Sequence, residues 1–196
     1  MVMRLSREDW AEAALRALQE GGPDAVAVQP IAQALATTRG SFYWHFTNRA
    51  DLLEVALQRW ESRSTDDLIE RLSVEPDPRI RLRRLFEYAL SSDHDVVEIS
   101  LAAHANDPAI GTVLERVATK RANYLEGCFK ELGLGDTEAR GHGLVAYATY
   151  LGWLQLRRGA PSVFGDQITN TSIATLLERL LVQDPGNSNT TTSATQ

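Results

Sequence analysis

From Trp10 to Leu181 the apolar residues recur three and four places apart, and no run alternates them in the β-branched manner of a strand. That period confines the chain to helices packed on helices. Glycine and proline cut the pattern into segments. Ser6 stands where it can cap a first helix, with Asp9 three places on as the partner of a capping box. Trp10, Ala14, Leu15 and Leu18 form its stripe until Gly21-Gly22-Pro23 ends the run. Pro30 falls in the first turn of a short second segment, where its missing N–H costs little, and Ile31, Ala32 and Leu35 share one face. A third segment runs from about Thr38 to Phe46. Thr47 or Asn48 then caps a long fourth that carries Leu52, Leu53, Ala56, Leu57 and Trp60.

Beyond Pro76 and Pro78 the pattern resumes with Ile80, Leu82, Leu85, Phe86 and Leu90. Asp93-His94-Asp95 breaks it before a short segment from Val96 to Ala105. A long segment from Ile110 to Leu132 ends at Gly133 and Gly135. Another opens at Asp136 or Thr137 and reaches about Arg158. A last one over 166–182 presents Ile173, Leu176, Leu177, Leu180 and Leu181. The expected fold is all-α, with about nine helices. From Asp184 onward the chain is Asn, Ser, Thr and Gly without an apolar anchor, and disorder is expected.

Charge limits the partners. The 196 residues hold 20 basic and 26 acidic side chains, a net −6, which excludes a uniformly basic coat for nucleic acid. Residues 1–50 are neutral, with five arginines against five acids, so a local DNA-reading surface there is not excluded. No apolar run approaches the roughly 20 residues of a membrane span, and no apolar stretch of a signal peptide precedes Trp10. The single cysteine, Cys128, allows no internal disulfide and no thiolate metal cluster. A cytoplasmic protein with no membrane partner is expected.

The informative segment lies between residues 27 and 46: a short helix, a tight connection at Ala36-Thr37-Thr38 and a second short helix. Two such helices at a steep angle make a helix-turn-helix, whose second helix projects its first residues into the major groove. Thr38 suits the N-cap, with a hydroxyl that can also reach a phosphate. Arg39 and Ser41 occupy the first turn, where side chains meet base edges, and Gly40 between them lets the backbone approach closely. Phe42 and Phe46, four apart, anchor the helix to its own core, while the polar tips of Tyr43 and His45 suit phosphate oxygens. The same geometry occurs in bundles that never touch nucleic acid, and a cluster such as Phe42, Tyr43, Trp44 and Phe46 is more often core than interface.

Residues 5–60 resemble the amino-terminal domain of the TetR family of transcriptional regulators. The resemblance rests on Ile31-Ala32-Gln33-Ala34-Leu35, on Thr38-Arg39-Gly40-Ser41-Phe42-Tyr43-Trp44-His45-Phe46 and on Asn48-Arg49-Ala50-Asp51-Leu52-Leu53. It implies an amino-terminal three-helix DNA-binding domain over residues 1–50. A helical ligand-binding and dimerisation bundle would follow over 51–183, with the tail at 184–196. It further implies base contacts from Arg39, Gly40 and Ser41, backbone contacts from Thr38, Tyr43 and His45, and a phosphate contact from Arg49, where the family usually has lysine. Gln29 is a further candidate. Two positions depart from the pattern. Ala27 replaces the usual Ser or Thr cap, at a cost of about 1 kcal/mol, and Ala36 replaces the usual turn glycine, predicting a slightly different turn.

One reading head discriminates too weakly to select a site in a genome, since a good base contact is worth about 1–3 kcal/mol; a homodimer on a near-palindromic operator doubles the contacts. Gly141, Gly143, Ala146, Ala148 and Gly152 permit close helix approach, and Leu144, Tyr147, Leu151 and Leu154 add bulk. With the last helix they would form a four-helix interface, although monomeric bundles place such stripes in their own cores. The resemblance also implies a cavity for a small-molecule effector. Phe86, Tyr88, His104, Tyr124, Tyr147, Tyr150 and Trp153 are the candidate contacts, with His104 and Trp153 preferred. His94, His104 and His142 match no metal-ligand spacing, and no cofactor is expected.

Three functions compete. The first is a ligand-responsive repressor. The second, an α-helical enzyme, lacks Gly-x-Ser-x-Gly, a P-loop and His-Glu-x-x-His. The third is a helical adaptor that uses the aromatic segment around Trp44 to hold a protein partner.

Overall fold

The computed structural model describes residues 5–91, 96–164 and 169–182. The expected break at Asp93-His94-Asp95 and the tail from Asp184 lie outside them. The described residues are helical almost throughout, in the order α1 (Arg7–Ala25), α2 (Val28–Ala34), α3 (Arg39–Phe42), α4 (Arg49–Glu61), α5 (Asp67–Ser73), α6 (Pro78–Ser91), α7 (Val96–Ala102), α8 (Pro108–Glu131), α9 (Asp136–Gly159) and α10 (Asn170–Leu181). A π-helical turn, Ser62–Asp66, joins α4 to α5 without a break. Counted as one rod, that pair leaves nine α-helical segments, as expected.

Local chemistry sets the ends. The Ser6 hydroxyl accepts from the Asp9 amide at 3.2 Å, and Asp9 Oδ2 accepts from the Ser6 amide at 2.7 Å, completing the capping box. Gly22 breaks α1 at φ +71°, and a single turn follows it. A side chain there would also run into Ser100 Oγ, only 2.2 Å from the position of its Cβ. Asn48, rather than Thr47, caps α4: its side chain accepts from the Asp51 amide at 3.0 Å, and Asp51 returns a bond to the Thr47 amide at 3.1 Å. Gly133 ends α8 in the left-handed region at φ +96°.

Two elements differ from expectation. The third helix is a single turn, Arg39–Phe42, because residues 43–46 turn back through His45 N–H to the Phe42 carbonyl at 2.9 Å. Ala36 keeps the turn that glycine would make. At φ +51°, it donates to the Gln33 carbonyl at 3.0 Å while Thr37 donates to Ala32 at 2.9 Å. This is a Schellman closure with a Cβ in the strained position.

The chain forms two compact units. The first takes in the described residues up to Val74 and those between Ser92 and Tyr124. Here α1 packs on α2, α4 and α7. Trp10 meets Phe42 edge-on with ring centres 5.4 Å apart, and Phe42 stacks on Phe46 at 5.5 Å. All three rings are buried. Sealing Phe42 alone contributes about 2–3 kcal/mol, enough to hold so short a helix in place. At the end of α4, buried Glu61 binds Arg116 through two Nε contacts of 2.8 and 3.0 Å and binds Lys120 at 2.9 Å. Arg121 reaches Glu98 at 2.7 Å and the Thr65 hydroxyl at 3.1 Å. These bonds tie the π-helical turn to α7 and α8.

The second unit takes in the described residues between Glu75 and Ser91 and those from Leu125 onward. In it α6 packs on α9 and α10, and Arg81 of α6 is buried against Glu131. No helix among the described residues is long and apolar enough to cross a membrane.

Candidate nucleic-acid interface

The loop after α2 and the first turn of α3 place Thr38, Arg39 and Gly40 together on the surface. Thr38 occupies the N-cap position in an extended conformation, yet its hydroxyl makes no capping bond. Gly40 is exposed, and a Cβ there would make only an ordinary contact, 3.5 Å from Thr38 Oγ1. Nothing inside the protein requires glycine at this position. Ser41 is half-buried behind them, and Phe42 is sealed beneath.

Arg39 and Tyr43 lie one turn apart and are linked: Arg39 Nη2 donates to the Tyr43 hydroxyl at 3.1 Å, with the guanidinium carbon 6.0 Å from the ring centre. The base and phosphate candidates thus hold one another on a single exposed ridge. His45 is half-buried at the far side of the turn, and Gln29 is exposed near the start of α2. Ala27 caps α2 without any side-chain bond, as expected.

Arg49 has an intramolecular role that its resemblance-based role does not include. Its Nε donates to the Val26 carbonyl at 2.8 Å and its Nη2 to the Pro23 carbonyl at 2.6 Å, closing the corner between α1 and α2. Trp44 stands outside the core that takes in Phe42 and Phe46. It is 80% exposed and stands beside Tyr43, which is 54% exposed. The signal was present: with Phe42 and Phe46 as anchors four apart, the residue between them falls on the opposite side.

The later candidates fall in two places. His104 and Tyr124 belong to the first unit, where His104 Nδ1 lies 2.8 Å from the Ser100 carbonyl and Nε2 lies 3.7 Å from Asp24. Phe86, Tyr88, Tyr147, Tyr150 and Trp153 belong to the second. There Tyr147 stacks near Tyr150, with ring centres 6.1 Å apart, and Trp153 meets Phe164 edge-on at 4.6 Å. Of the small residues on α9, Gly143 and Ala146 are buried within that unit, as is Leu154. Gly141, Leu144, Ala148, Leu151 and Gly152 form an exposed stripe, extended by Leu156 and, on α10, by Leu176 and Leu180. The small-residue pattern therefore serves two faces instead of one.

Residues 11–56 match the model of a family described as bacterial regulatory proteins, tetR family. Over 88 residues the chain is 31% identical to the HTH-type transcriptional regulator AcrR of Shigella flexneri, covering 44% of this chain and 41% of that protein. It spans about two fifths of the length of the curated relatives it matches. The fold as a whole is similar to that of a regulator from Saccharomonospora viridis solved in complex with choline. That match has a TM-score of 0.70 and 21% identity, over 91% of this chain and 96% of the other. AibR, solved with isovaleryl coenzyme A and operator DNA, matches with a TM-score of 0.63 and 19% identity, over 89% and 97%. At such identities the likeness is one of fold.

Proposed function

We propose, from the match of residues 11–56 to the model of the tetR family of bacterial regulatory proteins, that the chain is a DNA-binding transcriptional repressor. It holds a near-palindromic operator as a homodimer and lets go when a small-molecule effector binds. Its work is binding, with no catalytic step, and its place is the cytoplasm. Residues 1–50 form the reading head, and 51–183 serve the effector and the dimer.

One observation carries this reading. The leading edge of α3 is open, with Thr38, Arg39 and Gly40 exposed and room for a methyl group at Gly40, while Phe42 and Phe46 lock the helix from below. Arg39, Gly40 and Ser41 face base edges. Thr38, Tyr43, His45, Gln29 and the remaining guanidinium nitrogen of Arg49 serve the phosphates, joined by Trp44 against the sugar edge.

The exposed stripe of α9 and α10 supports a second copy of the chain as its occupant. Gly141, Ala148 and Gly152 recur at helical spacing between leucines, the arrangement in which two helices approach closely. The solved relatives with choline or isovaleryl coenzyme A bring the effector to this reading. A coupling of about 1–3 kcal/mol between effector and operator changes DNA affinity about 5–150-fold.

Electrophoretic mobility shift of the DNA upstream of the chain's own coding region tests the proposal. Retardation that weakens steeply with salt is expected. A chain that retards no upstream DNA at low salt, or retards it equally with every fragment, is an adaptor or something else.

A further inference from the structure

The face that α9 turns into its own unit runs through Ala139, Gly143, Ala146, Tyr150, Trp153 and Arg157. All are buried or half-buried. Small residues give way to two aromatic rings and then to a single charge. Among the described residues, the two groups that end this row are both hydrogen-bond donors without an acceptor. Trp153 is only 6% exposed, and its Nε1–H is buried with no partner. Arg157 is half-buried and carries no ion pair or hydrogen bond among the described residues.

Buried donors in folded proteins are paired almost without exception, and each orphan calls for an explanation. Trp10 carries another unpartnered indole N–H, but its ring is wholly buried in the core of the head, where no solute reaches it. Trp153 differs by standing one turn from a half-buried cation. Residues four apart on a helix are side-chain neighbours, so Arg157 and Trp153 share this face one turn apart.

We infer that this face binds an apolar carboxylate. One carboxylate oxygen accepts from Trp153 Nε1–H and the other from the Arg157 guanidinium, and the tail lies along Tyr150 toward Ala146 and Gly143. The inference rests on the effector-responsive reading above and names the chemical class of its effector. Charge selects the class. Arg81, Arg83, Arg84 and Arg140 of the second unit are committed to Glu131, Glu178, Glu75 and Glu126, while Arg158 and Arg179 are exposed to solvent. Arg157 is left to attract one negative charge, and a quaternary ammonium would meet it as a like charge.

The test uses the full-length chain, octanoate and decanoate as probes, and octanamide and decanamide as uncharged controls of the same shape. Proton–nitrogen correlation spectra of tryptophan-labelled protein show one indole resonance per tryptophan, and the one lost in Trp153→Phe belongs to Trp153. Decanoate is expected to move that resonance downfield and to raise the melting temperature, with decanamide binding about tenfold more weakly. Arg157→Gln is expected to remove most of the carboxylate preference, bringing acid and amide affinities close together. Trp153→Phe, which keeps the ring, weakens both by about three- to tenfold. The inference is overturned by a Trp153 resonance that stays in place at saturating decanoate, by equal affinity for acid and amide, by Arg157→Gln binding decanoate as the parent does, or by no binding of either acid. These spectra are recorded without DNA. Their failure leaves the DNA-binding reading standing, and a chain that shifts no upstream DNA leaves the carboxylate site standing.

Discussion

The guanidinium of Arg49 donates to the carbonyl oxygen of Pro23 at 2.6 Å, across 26 positions of sequence. With the second bond to Val26, it holds the corner that sets the angle of α2 against α1. The residue assigned to a phosphate is thus also a brace for the reading head. Arg49→Ala is expected to cost about 1–2 kcal/mol of stability in denaturant unfolding and to lower the salt dependence of DNA binding by about one ion. Arg49→Lys keeps the charge but cannot fork two carbonyls, so it should retain the salt dependence and lose the stability. An Arg49→Ala variant altered only in sequence preference would contradict the phosphate assignment.

The Schellman turn after α2 carries Ala36 at φ +51°, where a Cβ crowds the backbone. Ala36→Gly should relieve that strain and raise stability by about 1 kcal/mol, visible as a higher melting temperature. Operator affinity should not change, because the turn already has the glycine geometry.

Gly40 offers the opposite contrast. A methyl group fits there within the folded chain, and alanine favours the helix by about 1 kcal/mol. Gly40→Ala should therefore fold at least as stably as the parent and bind operator at least tenfold more weakly. Thermal melts and mobility shifts of the same preparation check both halves. A variant that binds DNA normally would show that the backbone of α3 does not approach the bases.

Glu61 makes stability depend on pH. The hydrogen bond from Arg116 holds its carboxyl below the ordinary value; burial opposes this, and Lys120 adds to the lowering. A carboxylate with a lowered folded pKa stabilises fully above the unfolded value and loses that contribution as pH falls through the folded one. Glu61→Gln should cost about 2 kcal/mol at about pH 7, and the difference from the parent should shrink below about pH 4. Glu12 is also lowered, chiefly by Arg63, but it is present in both proteins and cancels in the comparison. Denaturant unfolding across that pH range measures it.

What the sequence made legible was whatever depends on near neighbours. Ser6 with Asp9, and Asn48 with Asp51, cap their helices through side chains three places apart, and those pairs can be read directly. Phe42 and Phe46 identify the buried side of α3 for the same reason. The π-helical turn at Ser62–Asp66 was not legible, because Arg121, more than 50 residues away, binds the Ser64 carbonyl and the Thr65 hydroxyl. The brace made by Arg49 was hidden likewise, since its acceptors are the backbone carbonyls of Pro23 and Val26 at the end of α1, more than 20 residues away. Gly143 and Gly141 look alike in sequence. Only the fold sends one inward and the other out.

The central claim is that the first turn of α3 lies in the major groove, twice per dimer. Methylation interference on the upstream DNA tests it most directly, because methylated guanine N7 projects into that groove. The expected result is two clusters of interfering guanines, separated by about 34 Å or a multiple along the duplex, with one guanine lost from each cluster in Arg39→Ala. Interference confined to the minor groove, a single cluster, or a pattern unchanged in Arg39→Ala would contradict the account.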